Sequence, residues 1–80
     1  GNDMNNSDFN KTVIETQAFV RSKANVIDAV SIHASCLILE VIEHKTPEAS
    51  WDDLLGRTLH VVRSMFIASK EIYEREMPNG

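Results

Sequence analysis

Three features of this 80-residue chain combine residue type and spacing in a way that could do chemistry: the acidic pairs Glu40-x-x-Glu43 and Glu71-x-x-Glu74, and the single cysteine, Cys36. Carboxylates three residues apart share one side of a helix, and such a pair can hold a hard divalent cation through oxygen. The ordinary alternative is four solvated surface charges. Cys36 as a nucleophile would need a base and an oxyanion site. His33, three residues away, could reach towards its sulfur. Cys36 nevertheless falls between Ile32 and Leu39 on an apolar stripe, so the sequence predicts a buried, inert thiol. The histidines His33, His44 and His60 share no i,i+4 spacing of the kind a helical zinc site uses. There is no Gly-rich phosphate loop, no Ser-His-Asp set and no zinc ribbon. Trp51 could anchor a partner, since tryptophan is enriched at binding hot spots. The plainer expectation is that it begins an apolar stripe and packs against the end of the preceding helix. No catalytic, cofactor-binding or metal-binding residue is assigned, and no cofactor is expected.

In spacing alone, the two ExxE pairs resemble the magnesium sites of all-α nucleotide pyrophosphohydrolases. The resemblance covers eight residues and carries over no site. It implies a Mg-dependent nucleotide hydrolase as the alternative function. In an antiparallel hairpin Glu43 lies beside the turn and Glu71 some twenty residues beyond it, about 30 Å away at 1.5 Å per residue. The pairs could therefore meet only across an antiparallel dimer.

The elements that must position these residues are helical. Residues 1–7 (GNDMNNS) read as a disordered tail, and 8–80 as a single helical domain. Ser7 or Asp8 is the expected cap of a first helix running to about Lys23. Its Phe9, Val13 and Val20 fall on one face, with Ile14 and Ala18 well round from it. Asn25, with Asp28 three residues on, resembles a capping box for a second helix from Val26 to about Lys45. A bent continuation of the first helix is the other possibility.

On the second helix, Ile27, Val30, Ala34, Leu37 and Val41 form one apolar stripe at 100° per residue. Ala29, Ile32, Cys36 and Leu39 form another, nearly opposite. Two apolar faces predict a helix sandwiched between neighbours. Pro47 disfavours helical geometry at Thr46 and ends it. A third helix follows, from about Ala49 or Trp51 to Glu76, capped by Thr46 with Pro47 or by Ser50 with Asp53. Trp51, Leu54, Thr58, Val61, Met65, Ala68 and Ile72 keep strict three-four spacing along it. Leu55, Leu59, Val62, Phe66 and Tyr73 form an adjacent stripe. Gly56 marks either a close helix crossing or loose first turns. Glu71 with Arg75 is a favourable i,i+4 pair.

The predicted fold is all-α: an antiparallel hairpin of two long helices with a shorter N-terminal helix, in a small bundle. Eighty residues make a modest core, so good packing or a partner chain must compensate. One cysteine excludes an internal disulfide and fits a reducing, cytoplasmic setting. The net charge is −4, and the lysines and arginines are spread along the chain without clustering. That disfavours nucleic acid, whose phosphates select basic clusters. Residues 1–10 are polar and do not read as a signal peptide. The longest uncharged apolar run, Ala29 to Leu39, is far short of the ~20 residues of a membrane span. The function expected is a non-enzymatic protein-interaction or regulatory module. The expected partner is a second copy of the chain, or else another protein; a DNA-binding regulator is a further alternative function.

Overall fold

The computed structural model describes residues 3–77. Among them the chain is all-helical, with three helices and no strand: α1 (Asn6–Lys23), α2 (Val26–Glu43) and α3 (Trp51–Glu76). The expectation of a shorter N-terminal helix is corrected. Helix α1 has 18 residues, as α2 does, and only α3, with 26, is longer.

The helix starts follow local hydrogen-bond chemistry. Asn5 caps α1, its side-chain oxygen accepting from the Asp8 N–H at 2.8 Å. This corrects the expected Ser7 or Asp8 cap and the far end of the predicted tail, because Asn6 and Ser7 already belong to the helix. An asparagine oxygen reaches the third N–H ahead as readily as serine does, and Asn5-x-x-Asp8 offered that geometry. The expected tail's first two residues, Gly1 and Asn2, lie outside the described residues.

At the next junction Asn25 accepts from the Asp28 N–H at 2.8 Å, as its spacing predicts. Ala24 is extended (φ −145°, ψ 156°), so α1 and α2 are separate helices and not one bent one. Helix α2 stops at Glu43, two residues before the predicted end. Thr46 and Ala49 close a turn through Pro47, the Ala49 N–H donating to the Thr46 carbonyl at 3.3 Å. Ser50 then caps α3, accepting from the Asp53 N–H at 3.0 Å, which decides between the two predicted caps.

The chain divides into two compact units, Gly1–Glu40 and Val41–Gly80. In the first, α1 and α2 pack on each other, and the contact buries Val20 (7% exposed) and Ala29 (5% exposed). Only Ala24 and Asn25 separate the two helices, so they become neighbours for want of chain to part them. Phe9 and Val13, predicted to share a face with Val20, border an α1–α2 cleft, and Ile14 is exposed on another side. In the second unit the half-buried residues gather about the turn: Val41, Lys45 and Ala49 before α3, Leu54 and Thr58 in its first turns. From Leu59 onward every described residue of α3 is exposed.

Candidate interaction surface

Among the described residues no group of three His, Cys, Asp or Glu side chains is placed to hold a metal ion. Glu74 of the second acidic pair is bonded to Lys70, Nζ to Oε1 at 3.4 Å. That i,i+4 pair forms in place of the expected Glu71–Arg75 pair. Both partners are well exposed, so its contribution is a few tenths of a kcal/mol at most.

Cys36 is exposed, which corrects the expectation of a buried thiol. Helix α1 covers the side of α2 that carries Ala29 and leaves the rest of that stripe open. Ile32, Cys36 and Leu39 border a shallow groove with Lys23, Asp28 and Ser35 along its rim. His33 lies on the other edge of the α1–α2 contact, beside Phe9, Thr12, Val13 and Thr16. The cleft there holds about 270 Å³ and is open to solvent. That is below the ~300–1,000 Å³ of enclosed ligand pockets.

Trp51 is 62% exposed. What meets its ring is the Lys45 ammonium, 4.9 Å from the centroid. A cation over an indole face is worth about 0.5–1 kcal/mol at an exposed site. The turn residue Lys45 is thus one neighbour that orients the tryptophan. Lys23 covers Phe19 in the same way at 5.6 Å.

What each unit presents most plainly is apolar surface. In the first unit the stripe Ile27, Val30 and Leu37 lies about 80–160° round α2 from the buried Ala29, and Ile27 is 78% exposed. In the second unit both α3 stripes are open, with Val61, Met65 and Ile72 on one and Leu59, Phe66 and Tyr73 on the other. Phe66 is 69% exposed. Arg57, His60, Arg63, Lys70 and Glu74 occupy the rest of the α3 circumference, so the helix is apolar over about half of it. Such a half-apolar helix normally lies against a core.

The sequence reading located these stripes. It set α2 between two neighbours and paired it with α3; within the first unit the neighbour on α2 is α1, held close by the two-residue Ala24–Asn25 link. No helix among the described residues is long and apolar enough to cross a membrane. Comparison of the chain with protein-family models, curated proteins and solved structures finds no match in any of the three.

Proposed function

We propose that this chain is a non-enzymatic interaction module that works through helix packing, as a homodimer. The observation that carries the reading is the poverty of the interior. Val20 and Ala29 are the buried apolar residues among those described, while large apolar side chains lie exposed along all three helices. Burying those two contributes at most about 3 kcal/mol. A natural domain keeps about 5–15 kcal/mol after the entropy of ordering is met. Exposed apolar area of several hundred Å² marks a contact surface, and the commonest closed way to cover it is a two-fold dimer.

The partner is protein: scattered basic residues and a net charge of −4 offer phosphate no footing. A reducing, cytoplasmic setting suits the exposed free thiol of Cys36. Sedimentation equilibrium at micromolar concentration tests the reading. A mass near twice 9.0 kDa is expected. A mass of one chain with full helicity would refute the dimer. Specific Mg²⁺ binding with nucleotide turnover, lost in the Glu40→Gln/Glu71→Gln variant, would replace it by the hydrolase alternative.

A further inference from the structure

We propose that two copies pair through α3 in an antiparallel register that sets Val61 against the partner's Met65 and Arg57 against the partner's Glu71. This inference rests on the homodimer reading above and specifies its seam. The seam is the stripe of strict three-four spacing, a 3.5-residue period that keeps one line of side chains facing a partner helix. Val61, Met65 and Ile72 on it are about half exposed, and the neighbouring Leu55, Val62 and Phe66 widen the face. Half-exposed side chains of this size leave roughly 100 Å² each to be covered. From Leu55 to Tyr73 the face offers about 800 Å², which is what one partner gives to a standard interface.

Charge decides direction and register. The residues immediately before the seam positions Thr58, Met65 and Ile72 are Arg57, Ser64 and Glu71. These flank the seam on one side, where interhelical ion pairs set orientation. In an antiparallel pair related by a two-fold axis, flanking residues face their counterparts in reverse order. Arg57 then meets the partner's Glu71, Ser64 meets the partner's Ser64, and the ion pair occurs twice. In the same register the half-buried Thr58 and Leu54 lie opposite the partner's Ala68 and the partner's Ile72, which are small or apolar, and Trp51 at the end of the seam falls opposite the partner's Arg75. A parallel pair would instead set Arg57 against the partner's Val62 and Glu71 against the partner's Glu76, wasting one charge and opposing two of like sign. Within their own unit neither Arg57 nor Glu71 has an ion-pair partner among the described residues. The antiparallel arrangement also opposes the helix dipoles favourably.

A charge-swap cycle read by sedimentation equilibrium tests this. Arg57→Glu and Glu71→Arg each turn two attractive contacts into repulsive ones, and each is expected to raise the dimer dissociation constant about tenfold at low salt. The double variant restores both contacts with reversed sign and is expected to return within about threefold of wild type, since the cycle isolates the pair from effects within each helix. A dimeric wild type whose double variant is as weak as the worse single, or whose singles change nothing, overturns the register and leaves self-association standing. A wild type that sediments as one chain overturns both.

Discussion

Helices α1 and α2 form one kind of structure and α3 another. The first pair has a contact of its own: Val20 and Ala29 are buried where the helices meet, and the two-residue link keeps them together. Helix α3 is the longest and most regularly patterned element, yet past its first turns nothing in its unit covers it. Regular patterning therefore does not measure how much core a helix finds within its own chain. It measures how much surface the helix has to offer, and α3 offers the most. A substitution on α1 should act on a chain folding alone, and one on α3 should act through a second molecule.

The largest expected effect is at Phe66, the most exposed large residue of the α3 face. A monomeric reading makes Phe66→Asp nearly neutral, as surface substitutions are. A covered face makes it severe, about 3 kcal/mol or more, from the lost aromatic and a buried unpaired charge. Denaturant unfolding at several protein concentrations separates these. The wild-type midpoint should rise with concentration, and the variant's should be lower and independent of it. An unchanged midpoint would show that the α3 face is solvent in the working protein.

Val20→Ala comes next. It removes buried methyl groups from the α1–α2 contact and should cost about 1–2 kcal/mol. The same loss should appear at every protein concentration, since the contact is internal to a chain. The control, Ile14→Ala, lies on the exposed side of α1 and should fall within about 0.5 kcal/mol of wild type. Equal costs at the two positions would mean that α1 is covered by a partner as well, and the contrast between the regions would disappear.

Most of the local structure was legible because its causes are local. The Asn25 and Ser50 caps, the Pro47 break and the three-four stripes of α3 all depend on neighbours within a turn or two, and they appear where their spacing puts them. The Asn5 cap was passed over because two other capping residues, Ser7 and Asp8, stood closer to the first apolar residue. Cys36 was misjudged for a different reason. Its stripe does face a contact, but α1 approaches over Ala29 and leaves Cys36 in an open groove. A pattern at 100° per residue tells which side of a helix is apolar. It does not tell where along that side the covering helix will lie. The acidic pairs were equally readable as residues and equally silent as a site, because whether Glu40 meets Glu71 is decided by packing that no spacing encodes.

The smallest effect is at Gly56, and its sign is what matters. The sequence left two readings: a close helix crossing, or the loose first turns of the helix. A methyl group built at Gly56 meets nothing within 4 Å. The residue is the sixth of α3, beyond the fraying first turn, and lies on the side of the helix away from the Val61–Met65 seam. Glycine there costs roughly 1 kcal/mol relative to alanine, through the backbone freedom it must give up. Gly56→Ala should therefore stabilise each chain by about 0.5–1 kcal/mol, leave the dimer dissociation constant unchanged, and raise the thermal midpoint by a few degrees. A helix of either copy crossing at Gly56 would reverse the sign, because the new methyl group would push the two backbones apart. Destabilisation by this one carbon would place an interface on the polar side of α3 and remove the α3 seam argued from the opposite face.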